Sequence, residues 1–324
     1  MRTFSLLCSA MMLALVGGAA CASPRLISVV SNAATESPQK VGADAFRSEA
    51  TSRLGGQVYV EARNSEALGS ENALLAAVRA GSADIAVLSG PAVGPVVPEF
   101  GVYDVPFLFR DAAHVRAVAN GPIGGGIAAK FPAKGLVLLA VGEQGFRHIT
   151  NSQRPIRTPA DLKGLKIRVL PNEVYKTTFR TLGAEPVPME FPLVYTALKE
   201  NRIDGQENPA VTIDGSRFQD VQKHVSKTGH FYAPVAIVMN RETYEAFAPE
   251  ERKALVDAAV AAADATRSFG ARSAAEAFKH LTDGGMELVE NVDRQAFVDA
   301  LKAAEPEFEK RFGKDTLAAI RATR

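Results

Sequence analysis

The chain has 324 residues, with 37 Lys and Arg against 36 Asp and Glu and a mean hydropathy near zero. So even a balance leaves no basic excess for nucleic acid or an anionic membrane surface and excludes both as general partners. Both cysteines, Cys8 and Cys21, fall within the first 22 residues, so the remaining chain has no disulfide, thiolate nucleophile or cysteine metal site and must rest on a hydrophobic core.

Met1 to Ala22 has Arg2 as its only charge, an apolar run from Phe4 to Val16 and small residues ending in Ala20-Cys21-Ala22. The apolar run is shorter than the roughly 18–20 residues that span a bilayer, so the segment reads as an export signal cleaved after Ala22, not as an anchor. Cys21 offers a rival reading as a lipid-attached cysteine. Gly18 stands three positions before it, where a larger apolar residue is usual, and this favours a soluble mature chain from Ser23. The residues that follow exceed one ordinary core and predict two domains of about 150 residues each.

Leu26 to Val30 reads as a buried strand, Lys40 to Leu54 as a helix ended by Gly55-Gly56, and Gln57 to Ala62 as a second strand. Ser70 caps a helix from Glu71 to Ala80, and Asp84 to Leu88 supplies a third strand. Strands alternating with helices predict a mostly parallel sheet, which binds ligands beyond the carboxyl ends of its strands. Asn32 and Ser89 lie at two such ends. Gly90 to Pro98 reads as a loop crossing, and Asp111 to Lys130 as a helix interrupted by Gly121-Pro122 and Gly124-Gly125-Gly126. Those glycines lack the Gly-Lys-Ser/Thr ending of a phosphate loop, so no nucleotide site is predicted.

Leu136 to Val141 is a further strand, leading into Gly142-Glu-Gln144-Gly-Phe-Arg147-His148-Ile-Thr150, where the chain is expected to change domain. Arg147 is a candidate binding cation and Gln144 a candidate polar contact. His148 has no ligand spacing with His114, His224 or His230, so it reads as a structural histidine, and no metal is predicted. The second domain opens with the linker Asn151 to Pro159 and a short helix near Thr158. The strand Leu165-Lys-Ile167-Arg168-Val169 follows. With Ile167 and Val169 packed inward, Arg168 projects from the opposite face. Its partner is either a neighbouring acid at a strand edge or a ligand. Helices over Asn172–Leu182 and Pro192–Glu200, a strand over Glu185–Met189 and a short strand at Ile203-Asp204 lead to Gly205-Gln-Glu-Asn208-Pro209. Proline after Asn208 holds that residue extended, with an amide able to donate and accept. Gly229 to Met239 returns as a strand, Pro249 to Leu281 is a long alanine-rich helix that Gly270 could bend, and Phe297 to Ile320 is a peripheral helical tail.

Gly145-Phe-Arg147, Asp161-Leu-Lys-Gly-Leu-Lys-Ile-Arg168-Val, Pro188-Met-Glu-Phe191, Tyr195-Thr-Ala-Leu198 and Asp204-Gly-Gln-Glu-Asn208-Pro together resemble the extracytoplasmic solute receptors of tripartite ATP-independent periplasmic (TRAP) transporters. The likeness runs over nearly the whole mature chain. It implies an α/β two-lobed periplasmic binding protein fold. Each lobe would be a mixed, mostly parallel sheet flanked by helices, with a long helix bracing both. Residues 23–145 plus about 234–273 would form one lobe and 146–233 plus about 274–324 the other, with the ligand cleft between them. The implied function is capture of an organic-acid anion, a C4-dicarboxylate or a sugar acid, by a monomer in the periplasm that hands it to integral membrane subunits without a cofactor.

By the same resemblance Arg168 grips the ligand carboxylate through a planar two-bond fork, and Asn208 completes the pocket. Arg147 adds a second cation, Phe191 an apolar wall, and Asn172, Asn32 and Ser89 polar contacts. One departure stands out: many members carry a histidine before the proline of the first loop, and this chain reads Glu36-Ser37-Pro38-Gln39-Lys40. Lys40 either meets a second ligand carboxylate or is a solvated lysine on the first helix. Two other classes of function were weighed, an enzyme or sensor on the same fold and a scaffold. The sequence offers no Gly-x-Ser-x-Gly, cofactor fingerprint, repeat or large apolar run for either.

Overall fold

The computed structural model describes residues 25–33 and 36–324; the export-signal reading, with Cys21 and cleavage after Ala22, lies outside them. The nine strands are β1 Arg25–Ser31, β2 Val58–Asn64, β3 Ile85–Ser89, β4 Leu136–Asn151, β5 Lys166–Val169, β6 Glu185–Pro188, β7 Gly205–Pro209, β8 His224–Asn240 and β9 Glu287–Val289. They form one sheet in the order β2-β1-β3-β8-β4-β7-β5-β6, with β9 beside β8. The flanking pairs β1–β2, β1–β3, β5–β6 and β5–β7 are parallel, and β8 and β4 run antiparallel through the middle.

Local chemistry sets the helix starts. Ser37 Oγ accepts from the Lys40 N–H at 3.2 Å and Pro38 opens the helix Pro38–Leu54, where its missing N–H costs nothing. Ser70 Oγ caps Glu71–Arg79 in the same way, accepting from the Ala73 N–H. Gly90–Val93, expected as loop, forms one helical turn, with Pro91 in its first turn where a missing N–H is tolerated.

β4 and β8 are 16 and 17 residues long and pair from Leu136↔Asn240 to Asn151↔His224. The expected domain crossing at Gly142–Thr150 falls within this ladder. The ladder continues through a register shift between Glu143 and Gly145, and Gly145 absorbs it at φ +112°, a conformation that side chains with a Cβ rarely adopt.

Apolar clusters cover both faces of each half of the sheet. In the first half Val30, Leu88 and Phe109 pack on one face, and Val29, Phe46 and Ile237 on the other. In the second half Ile167, Phe179 and Phe231 pack on one face, and Val194, Ile213 and Phe218 on the other.

The helix Pro249–Asp283 runs unbroken through Gly270 for 35 residues, about 50 Å at 1.5 Å per residue. Leu255, Ala258, Ala259, Ala262 and Ala263 bury against the first half, and Leu281 against the second. Small side chains let this helix lie close to β4: a Cβ at Gly142 would come within 2.4 Å of Thr266 Oγ1. That hydroxyl accepts from the Glu143 N–H at 2.9 Å and donates to the Ala263 carbonyl at 2.7 Å.

The tail packs on both halves of the sheet. Phe297 and Leu301 do join the second half, but Ala304, Phe308, Leu317 and Ile320 are buried in the first-half cluster with Phe109 and Val115. Polar contacts fix them there: His114 Nε2 lies 2.8 Å from the Ile320 carbonyl, and Arg110 donates to the carbonyls of Arg321 and Thr323. The tail is core because its helices each bury an apolar stripe that a strand-helix-strand reading cannot assign to a lobe. Phe308→Ala should therefore destabilise the protein by about 3–5 kcal/mol, the usual cost of emptying a buried phenylalanine site. Urea unfolding measures this, and a loss below about 1 kcal/mol would return the tail to the periphery.

Candidate functional site

The cleft lies where the two halves of the sheet meet and holds about 650 Å³ of space counted out into the solvent at its mouth. Its walls come from the ends of β1 and β3, the middle of β4, the end of β7 and the segment after β6.

Arg168 sits on β5 between Val187 of β6 and Gln206 of β7 and is 1% exposed. Nε donates to the Met189 carbonyl at 2.8 Å, and this is its one hydrogen bond among the described residues. The two terminal nitrogens are left for the cleft, beside the Phe191 ring at 5.8 Å. Burial lowers the guanidinium to about 10, partly opposed by the Glu207 carboxylate, so it is charged at neutral pH. A buried cation with unpaired donors is costly until an anion meets it.

Arg147 lines the same cleft but is not a free cation. Nε donates to Glu207 Oε2 at 2.6 Å, and Nη2 to Glu207 Oε1 at 2.8 Å, to the Glu207 carbonyl at 2.7 Å and to Asn208 Oδ1 at 3.0 Å. Burial works to lower the Arg147 pKa, and Glu207 outweighs it and raises the value. Burial works to raise the Glu207 carboxyl, and Arg147 outweighs it in turn. His230 Nε2 approaches Glu207 Oε2 at 3.4 Å, and burial holds this imidazole below its ordinary pKa.

Asn208, extended on β7 as its proline requires, spends part of its amide internally. Oδ1 accepts from Arg147, and Nδ2 donates to Gln206 Oε1 at 2.5 Å, which leaves one N–H. Gln206 in turn donates to Thr150 Oγ1 at 3.0 Å, and Thr150 to Gln222 Oε1 at 2.8 Å. The network holds the cleft side chains on rigid strands.

Asn32, Ser89, Gln144 and Phe191 also line the cleft. Gln144 Nε2 donates to Thr212 Oγ1 at 3.1 Å, and its Oε1 is buried with no partner among the described residues. Two expected contacts stand elsewhere. Asn172 caps the helix Glu173–Thr181 through Oδ1, and its Nδ2 donates to the Pro91 carbonyl at 3.1 Å and to Asp104 Oδ2 at 2.8 Å, so its amide is already used across the two halves. Lys40 bridges Glu36 at 3.0 Å and Asp44 at 2.8 Å along its helix and is not part of the cleft wall, which favours the solvated reading.

Sequence reasoning missed Glu71, Gln39 and Glu207. Glu71 is half-buried in the cleft wall, where Oε1 accepts from the Ser89 N–H at 2.6 Å and Oε2 from the Ser89 hydroxyl. Burial raises its pKa against these bonds and one from Gln39. An acid just after a Ser cap looks like an exposed first-turn residue, so nothing local marks it. Glu207 was findable, since an acid inside a short strand next to a motif asparagine needs a buried cation. His148 is pushed to about 3 by burial, with His230 adding, and accepts from the Gly229 N–H at 3.2 Å. Among the described residues no group of three His, Cys, Asp or Glu stands together to hold a metal.

A cleft between sheet halves with an open guanidinium in its wall has the chemistry to take up a small anion. The family model for bacterial extracellular solute-binding protein, family 7, matches residues 29–311, and the chain belongs to that family. The 2,3-diketo-L-gulonate-binding periplasmic protein of Escherichia coli K12 is 36% identical over 263 residues, 81% of this chain and 80% of that one. A TRAP periplasmic solute-binding protein from Polaromonas sp. JS666, solved with D-erythronate, is 37% identical with a TM-score of 0.90 over 93% of this chain and 99% of its own. Another from Roseobacter denitrificans, solved with β-D-glucuronate, is 29% identical with a TM-score of 0.89 over 92% and 100% of the two chains. The TRAP resemblance carried by the sequence motifs is borne out.

Asp104, at the end of the turn Pro98–Asp104, joins the halves through Asn172. Its Oδ1 is buried without a partner, and burial pushes the carboxyl from 3.8 up to about 8 against Asn172, Arg147 and Arg311, with Glu207 adding to the rise. The folded state thus holds a proton that the unfolded chain releases between about pH 4 and pH 8, so stability falls as pH rises through that window. Asp104→Asn should remove this slope. Urea unfolding at pH 5, 7 and 9 checks it: the variant should gain on the parent as pH rises, and parallel curves would refute the assignment.

Proposed function

We propose that this receptor captures an organic-acid anion, a C4-dicarboxylate or a sugar acid, with Arg168 as its carboxylate clamp. The observation that carries this is the buried Arg168 fork, pinned at Nε and open at both terminal nitrogens. Two parallel charge-assisted bonds to one carboxylate fit that geometry, and the anion supplies the charge the site lacks. Asn208 offers its remaining N–H, Phe191 an apolar face, and Asn32, Ser89 and Gln144 polar contacts. The relatives solved with D-erythronate and β-D-glucuronate support an acid ligand. The receptor works in the periplasm as a monomer after its signal is removed and delivers the acid to integral membrane subunits. Its role is capture and delivery of the acid, not a reaction on it.

Capture proceeds by closure of two lobes, residues 25–145 with 234–273 and the last two helices, against 146–233 with about 274–303. The hinge is the irregular middle of β4 and β8. Asn72 Nδ2 to Glu190 Oε1 at 2.8 Å and Asn172 to Pro91 and Asp104 span the mouth, as in a closed form. Small-angle scattering should show the radius of gyration fall on adding a bound acid, and an unchanged value at saturation would count against closure.

Arg168→Ala should weaken acid binding on the order of a hundredfold or more, since truncating one member of a buried pair costs roughly 2–5 kcal/mol. Arg168→Lys should recover only part, because a point charge cannot reproduce the fork. Calorimetry on folded variants decides: affinity within about threefold of the parent would refute the clamp.

A further inference from the structure

Resting on that reading, we infer that the cleft selects acids with a single carboxylate and several hydroxyls, and that Glu71 is the residue that rejects a second carboxylate. Among the described residues the cleft wall holds two basic side chains, Arg147 and Arg168, and two acidic ones, Glu36 and Glu71. Glu207 already neutralises Arg147, and Lys40 is held between Glu36 and Asp44 outside the wall. One open cation remains, and it is satisfied by one carboxylate.

What surrounds that cation asks for hydrogen-bond donors. Glu71 shares a wall with Arg168, and its Oε1 is fixed as an acceptor by the Ser89 backbone N–H, which can only donate. Gln144 Oε1 is a second buried acceptor, with no partner among the described residues. A hydroxyl has a hydrogen to offer these oxygens, whereas an ionised carboxylate has none. Two carboxylates brought together out of water cannot both stay charged. A site built to bond hydroxyls also discriminates strongly against analogues that lack them.

The test is calorimetric titration at fixed pH and ionic strength with D-gluconate and D-erythronate against succinate and fumarate. The parent should prefer the hydroxy acids by at least about tenfold, and Glu71→Gln should shrink that preference at least about tenfold by admitting the diacids. If Glu71→Gln does not fold, Glu71→Asp carries the test. It keeps the charge but withdraws it by one methylene, so the hydroxy acids should weaken at least about fivefold while succinate gains nothing. A parent that binds succinate as well as gluconate, with binding still lost in Arg168→Ala, overturns this inference alone. So does a folded Glu71 variant with the parental ratio. Binding of none of the four acids, or binding indifferent to Arg168→Ala, overturns the organic-acid reading and this one with it.

Discussion

The Arg147–Glu207 pair fixes the electrostatics on which the rest of the site depends. It joins β4 to β7 across 60 residues of sequence and removes two charges from water together. Such a pair adds little net stability, because desolvation offsets most of its attraction, but breaking it leaves a buried charge and is costly. Its larger effect is on its neighbours. Burial disfavours the Arg168 charge; Glu207 opposes that effect, and Arg147 adds to it less strongly than Glu207 opposes it. Replacing Glu207 by a neutral residue would present two open forks and change the charge of the preferred guest.

β4, the strand that carries Arg147, also connects the halves of the molecule together with its neighbour β8. β4 and β8 are continuous through both, so a rotation there bends one ladder and does not separate two. The bulge at Gly145 and the hydrogen bond from Glu143 to Thr266 lie side by side on this ladder. One loosens the strand, and the other ties it to a long helix packed on both halves.

Much of this was legible in the chain. Alternation in Ile167-Arg168-Val169 placed the guanidinium on a strand, and the strand boundaries and the long alanine-rich helix followed from periodicity and caps. What was not legible depends on distant partners. Asn172 has the sequence of a strand-end ligand contact, yet its amide is taken by Pro91 and Asp104, 81 and 68 residues away. Lys40 could be assigned only once Glu36 and Asp44 were seen to hold it. Glu71 follows a Ser cap, where an acid is ordinarily solvated, and only the approach of Ser89 at the end of β3 ties its carboxylate into the cleft wall. Glycines at 142 and 145 looked like punctuation because a bulged strand and a loop use the same residues.

The packing of the last two helices bears on the order in which the molecule can form. Ile320 closes a contact with His114 across 206 residues, and Phe308 and Leu317 complete the same core. Nearly the whole polypeptide must therefore be available before the first lobe can bury its aromatic cluster. Such non-local closure is slow, and a chain emerging from the ribosome would stay open until its synthesis was almost finished.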